Sequence, residues 1–258
     1  MALLEVRELE KAFGGIAAIS DLSFGVPEGQ IYAVIGPNGA GKTTLFNMLS
    51  GVYVPSAGEI HFAGASLAGL APHQVATRGI ARTFQNLQIF FNMTALENVM
   101  VGCHQRTRSG LVGAALRLPR VLREEREVRA WARAALAFCG LEAIADTPAD
   151  ALPYGALKKL EIARALVAQP RLLLMDEPAA GLNDTETVEL RALVRRIRDS
   201  GITVLIVEHN MGLVMEVSDT VLVLDYGSKL AEGTTAEVQN DPRVIAAYLG
   251  GEVQYAVD

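Results

Sequence analysis

Cysteine is scarce in this chain: Cys103 and Cys139 are the two present among 258 residues. Two thiols build neither a disulfide framework nor a zinc quartet. No apolar run approaches the roughly 18–20 residues that a membrane span needs. Internal repeats and low-complexity linkers are missing as well. Nor is there an excess of positive charge, since 23 Lys and Arg stand against 29 Asp and Glu, a formal net charge of −6. That balance argues against a general nucleic-acid coat, though not against a local basic face. Met1 to Lys11 alternates Leu and Val with charges and reads as neither a signal peptide nor an anchor. The expectation is a soluble cytoplasmic protein that reaches a membrane, if at all, through a partner.

The composition is that of a globular protein, with half the residues apolar and a fifth charged. The length suits one large or two small domains with a buried core. Ile31 to Ile35, Leu172 to Met175, Ile202 to Val207 and Val221 to Leu224 are short continuous apolar runs. Such runs fit strands buried on both faces of a helix-covered parallel sheet, and so an α/β fold. Gly58 to Gly64 reads as a short strand bracketed by glycines, and Asp225 to Ser228 separates two strand-like pieces. Both predict antiparallel hairpins on the rim. Residues 86–160 break this rhythm and read as helical. Val128, Trp131, Ala135 and Phe138 recur there on one face, with Trp131 read as core packing. Between His104 and Arg133 eight Arg oppose three Glu. That run is read first as a solvated helix face and second as a surface for a membrane or a partner protein.

Chemistry enters at Gly36-Pro37-Asn38-Gly39-Ala40-Gly41-Lys42-Thr43, which fits G-x-x-x-x-G-K-[ST]. Glycines let backbone N–H groups turn inward around a phosphate chain. The helix expected from Lys42 to Ser50 aims its N-terminal dipole at the same anion, and Gly51 stops it. Lys42 supplies a point charge for the β- and γ-phosphates, the Thr43 hydroxyl can ligate Mg²⁺, and Thr44 can bond a phosphate oxygen. The strand before the loop and the helix after it make nucleotide binding the reading of this segment.

A second apolar strand, Leu172 to Met175, ends in Asp176-Glu177. Asp176 is expected to hold Mg²⁺ through water, and Glu177 to polarise the attacking water of a phosphoryl transfer. His209 follows a third strand. It either reaches the γ-phosphate or is a polar strand terminus. Tyr154-Gly155-Ala156 opens a helix-like segment whose start either receives a second phosphate or is a plain N-terminus.

The order of these motifs resembles the ATP-binding subunit of ABC transporters over essentially the whole chain. It is most similar to the LivG-type ATPases of branched-chain amino acid importers. The residues carrying the resemblance are Phe13-Gly14-Gly15, Ala81-Arg82-Thr83-Phe84-Gln85, Tyr154-Gly155 with Leu160 to Leu166, Ala180-Gly181-Leu182-Asn183, Val207 to Met211 and the tail Ala247-Tyr248-Leu249-Gly250. The Arg-rich stretch after Cys103 matches this subfamily and sets the chain apart from shorter relatives, including lipopolysaccharide-export ATPases.

The resemblance implies a P-loop NTPase with a RecA-like parallel-sheet core, a small antiparallel β subdomain and an inserted helical subdomain. Residues 1–85 and 161–237 would form the β subdomain and core, 86–160 the helical subdomain, and 238–258 an extension read as a cap rather than a docking helix. It also implies ATP and Mg²⁺ as ligands. Phe13 would stack on adenine, the alternative being a core Phe. Gln85 would touch Mg²⁺ or water and sense a transmembrane partner, whose coupling helix would lie in a groove lined by residues 86–100. Leu152-Pro153-Tyr154-Gly155-Ala156 stands where the family signature loop, Leu-Ser-Gly-Gly-Gln, faces the γ-phosphate of an opposite subunit. Pro153 and Ala156 depart from that pattern; one explanation is an asymmetric heterodimer whose other member carries a fuller loop. Asn183 replaces a common Asp. Implied partners are transmembrane permease subunits, a sister ATPase or a second copy, and indirectly an extracytoplasmic solute-binding protein, with no nucleic acid. The implied location is the cytoplasmic face of the inner membrane. Alternatives are a lipid or lipopolysaccharide exporter subunit, or a soluble ABC ATPase of DNA repair or translation. The soluble class is disfavoured by a single phosphate loop, an acidic chain and two cysteines. A P-loop kinase or GTPase is disfavoured by motif order and the lack of an Asn-Lys-x-Asp string.

Overall fold

Two sheets organise the chain, seen in a computed structural model that describes residues 2–107 and 119–253. The first is antiparallel, in the order β2 (Ile16–Pro27), β1 (Ala2–Phe13), β4 (Ala57–Phe62), β5 (Ala65–Ser66). The second has six strands, in the order β10 (Ser228–Gly233), β9 (Thr220–Asp225), β3 (Ile31–Ile35), β8 (Thr203–Val207), β7 (Leu172–Asp176), β6 (Ile80–Arg82). Its members run parallel except for the β9–β10 pair. Both hairpins expected from glycines, β4–β5 and β9–β10, are present.

The continuous apolar runs have a direct consequence. Successive side chains of a strand point to opposite faces, so each run feeds two cores. Ile31, Ala33 and Ile35 of β3 join Leu173, Met175, Val204 and Ile206 in one. Tyr32 and Val34 join Leu172, Leu174, Leu205 and Val207 in the other, which the antiparallel sheet covers. Helix α1 (Lys42–Leu49) lies in this second core, and α2 (Pro72–Thr77) contributes Val75 to it. The first core is covered by α3 (Ala95–Val101), α4 (Pro119–Phe138), α5 (Tyr154–Leu166), α6 (Asp184–Asp199) and α7 (Met211–Val217). Trp131 and Phe138 of α4 pack against it, half-buried. The chain closes with α8 (Thr235–Gln239) and α9 (Pro242–Val253).

Within residues 86–160 the described helices are α3, α4, the start of α5 and three short 3-10 turns, whereas 86–94 are irregular chain and turns rather than helix; part of the Arg-rich stretch, residues 108–118, lies outside the described residues. On α4 the arginines make exposed i,i+4 pairs, Arg123 with Glu127 and Arg129 with Glu125, which favours the solvated-face reading. The boundary expected between 160 and 161 falls inside α5, and that between 237 and 238 inside α8.

Candidate nucleotide site

Four parallel strands deliver the site. β3 leads into the phosphate loop, β7 ends at Asp176, β8 ends two residues before His209, and β6 ends three before Gln85. All four groups therefore sit at the carboxyl ends of neighbouring strands, where open α/β sheets bind ligands. The loop needs its glycines. Gly36 has φ +153°, and an added Cβ would lie 2.1 Å from the Leu224 carbonyl oxygen; at Gly41, with φ +99°, it would lie 2.6 Å from that of Ala18. Gly41 is the N-cap of α1 and no side chain caps that helix. Its first N–H groups are left to bind an anion. Lys42 is buried and donates from Nζ to the carbonyls of Gly36 and Pro37 at 2.6 and 2.8 Å. Burial pulls its pKa down, and the charges of Glu177 and Asp176 push it back up. A polyphosphate reaching this ammonium competes with carbonyls of its own loop.

Glu177 sits between the two groups expected to act with it. Its Oε2 accepts from Gln85 Nε2 at 2.8 Å, and its Oε1 lies 2.8 Å from His209 Nε2. An ionised carboxylate can only accept, so the imidazole makes this bond with its proton on Nε2. Glu177 adopts φ +47°, and its N–H donates to the Val207 carbonyl at 2.9 Å. A non-glycine residue in that region is strained and is held there by its surroundings. The cluster gives a carboxylate aimed from a fixed backbone, flanked by an amide and an imidazole. That is an arrangement able to orient and polarise a water.

The donors suit Mg²⁺. Among the described residues no group of three or more His, Cys, Asp or Glu could hold an ion alone. What is present is the Thr43 hydroxyl, the nearly buried Asp176 carboxylate and the Gln85 amide, all oxygen donors. Mg²⁺ takes few protein oxygens and completes its shell with water and substrate phosphates, so this sparse set fits it.

The ABC transporter family profile matches residues 19–180. The chain belongs to the ABC transporter family. A second profile, described as branched-chain amino acid ATP-binding cassette transporter, matches residues 228–254. The chain is 43% identical to the high-affinity branched-chain amino acid transport ATP-binding protein BraF of Pseudomonas aeruginosa, over 96% of this chain and 98% of that protein. It is 44% identical to LivG of Salmonella typhimurium with the same coverage. The lipopolysaccharide export ATP-binding protein LptB of Acidithiobacillus ferridurans is 33% identical, over 98% of each chain. Among solved structures, an ATP-binding cassette in its ADP conformation superposes with TM-score 0.84 and 31% identity, over 97% of this chain and 99% of that one. A nucleotide-free cassette gives 0.84 and 32%, over 96% and 99%.

Within this ABC ATPase, the remaining expected residues take distinct places. Phe13 is exposed rather than core, edge-on to Tyr53 at 5.3 Å between ring centroids, with Lys11 Nζ 5.0 Å from its ring. Tyr154 and Gly155 begin α5, whose N-cap Pro153 supplies no side-chain bond. The Tyr154 hydroxyl donates to the Ala180 carbonyl at 3.2 Å. Gly155 has a packing reason of its own, since a Cβ there would lie 2.3 Å from Glu186 Oε1. A groove-like cavity of about 750 Å³ lies beside the segment expected to line a partner groove, and only residues 87–90 of the expected 86–100 line it. Its other walls include Val75, Ile80, Phe84 and Arg164, so it is built by α2, β6 and α5 as much as by the segment named in advance.

Sequence reasoning passed over the side chains that hold these loops. Three charged residues on one face of α5 grip the loop around Gln85. Lys158 Nζ donates to the Gln85 carbonyl at 3.1 Å, Glu161 Oε1 accepts from the Phe84 N–H at 3.3 Å, and Arg164 donates to the Gln88 carbonyl. Glu208 is 3% exposed; its Oε1 accepts from the Ala179 N–H at 2.7 Å, and its Oε2 from the N–H groups of His209 and Asn210 at 3.0 and 3.2 Å. It ties the chain after Glu177 to the turn bearing His209. The spacing 158, 161, 164 was a readable signal; a buried Glu next to His209 was not.

Proposed function

We propose that this chain is the ATP-hydrolysing subunit that energises import of branched-chain amino acids by an ABC transporter. The observation that carries the reading is similarity at 43–44% identity over 96% of the chain to proteins named for that transport, joined by the matching profile at residues 228–254. Nucleotide is held with adenine on Phe13 and phosphates on residues 36–44. Lys42 leaves its loop carbonyls for the β- and γ-phosphates. Mg²⁺, when bound through Thr43, Asp176 and Gln85, neutralises developing phosphate charge. Glu177 polarises the attacking water, with Gln85 and His209 fixing its carboxylate. Tyr154 and Gly155 present the α5 N-terminus to the nucleotide of a second ATPase, identical or a sister chain. ATP binding closes the pair and hydrolysis reopens it, a population shift driven by the closed state's greater affinity. No helix among the described residues is long and apolar enough to cross a membrane, so permease subunits supply the membrane path. Their coupling segments lie in the groove at Phe84 and Phe90, at the cytoplasmic face.

A mild-detergent purification of this subunit from native membranes, with co-purifying chains identified by mass spectrometry, tests the reading. Two permeases and a sister ATPase are expected. Recovery without membrane proteins, or with the components of a lipid exporter, overturns it.

A further inference from the structure

Arg82 has no part in the roles given above, yet it is built into the site. It is the last residue of β6, paired in register with Leu174 of β7. Its Nη2 donates to Asp176 Oδ2 at 2.9 Å, with the two side chains 9% and 6% exposed. Its Nη1 donates to Asn47 Oδ1 at 2.7 Å and Ser50 Oγ at 2.9 Å, both at the end of α1. The guanidinium lies 5.7 Å from the Phe46 ring and 5.2 Å from that of Phe84. One planar group thus joins the helix that begins with Lys42, the Asp176 carboxylate, and an aromatic that lines the groove.

We propose that Arg82 is a positioning residue of the ATPase. It fixes which oxygen of Asp176 faces the ion and ties that carboxylate to the groove through Phe84. The inference rests on the reading that Asp176 serves Mg²⁺. A buried carboxylate without a partner is costly, so Asp176 needs a cation. Arg82 satisfies Oδ2 and leaves Oδ1 for a water of the ion's shell. The planar fork matters here, because its two ends hold acceptors in fixed, divergent directions, which a lysine ammonium does not reproduce. Phe84 is 42% exposed in the groove. A segment docking on that ring presses on the guanidinium and, through it, on Asp176. The path from partner to ion is then one side chain long.

The test reads ion binding, not turnover. Mn²⁺ in place of Mg²⁺ is titrated into the full chain carrying one equivalent of a slowly hydrolysed ATP analogue, and the bound ion is read by electron paramagnetic resonance. Arg82→Lys and Arg82→Gln are expected to weaken Mn²⁺ by about tenfold or more, the usual cost of losing a residue that orients a metal ligand, with analogue affinity measured in EDTA unchanged. Asn47→Ala loosens the cradle without touching Asp176 and is expected to weaken Mn²⁺ by a smaller factor. If the Arg82 variants fail to fold, Asn47→Ala decides alone. Mn²⁺ affinity equal to the parent's in every folded variant overturns the role. Asp176→Asn separates the two levels. If it also leaves Mn²⁺ affinity unchanged, the ion is not at Asp176 and the site reading fails. If it abolishes binding while the other variants keep the parent's Mn²⁺ affinity, only the inference about Arg82 fails.

Discussion

Glu177 is held at both carboxylate oxygens and strained at its backbone, which is how a group with one orientation to keep is built. Glu177→Gln retains the shape but not the base. Hydrolysis is expected to fall by at least ~100-fold, the lower end for losing a positioned acid or base, while ATP still binds. Single-turnover hydrolysis beside equilibrium ATP binding checks this; turnover at the parent's rate removes Glu177 from the chemistry. Glu208 is different in kind. Burial pushes its carboxyl above the ordinary range, against three backbone N–H groups that pull it down. The native state then holds that proton more tightly than the unfolded chain. Its contribution is full below the ordinary carboxylate pKa and is lost as pH rises through the native value. Glu208→Gln turns an amide toward two N–H donors and should cost about 1–3 kcal/mol at low pH. The gap from the parent should narrow as pH rises through that window, as read by denaturant unfolding of both proteins; a gap that widens contradicts the raised pKa. The phosphate loop, Asp176, Glu177 and His209 were legible because their chemistry demands those residue types at those spacings. Arg82 and Glu208 were not, because their partners lie 94 and 29 residues away.

Helix α5 carries two loads, the segment around Gln85 on its buried polar face and Gly155 at its start. The Gly155 position is decided by α6. There Asn183 Oδ1 accepts from the Glu186 N–H at 2.9 Å, and Glu186 Oε2 accepts from the Asn183 N–H at 3.0 Å, a reciprocal cap. A methyl at 155 meets Glu186 and drives it from that cap. Gly155→Ala should therefore destabilise the protein by roughly the worth of a cap, about 1 kcal/mol. In a Glu186→Ala background the same change should be neutral or stabilising by up to ~1 kcal/mol, as alanine in a helix normally is. A double-mutant cycle by denaturant unfolding measures this coupling, and strict additivity would refute it. Elements were readable wherever one period ran unbroken, as in the apolar runs of β3, β7, β8 and β9. The groove was half-read, because a sequence segment names one wall and α2, β6 and α5 supply the others.

At the scale of the whole molecule, the two cores either side of the six-stranded sheet hold the strand ends in one layer. The phosphate loop, the Glu177 cluster and the groove are therefore parts of one frame. No helix among the described residues is long and apolar enough to cross a membrane, and the exposed aromatics Phe84 and Phe90 line the groove. The central claim is that ATP hydrolysis at Glu177 is geared to import of branched-chain amino acids. The most direct measurement is the ATPase rate of the complete complex in lipid vesicles, with and without its binding protein loaded with leucine, isoleucine or valine. The account predicts several-fold stimulation by these solutes, absent with unrelated amino acids and lost in Glu177→Gln. An active complex whose rate ignores all three would contradict it.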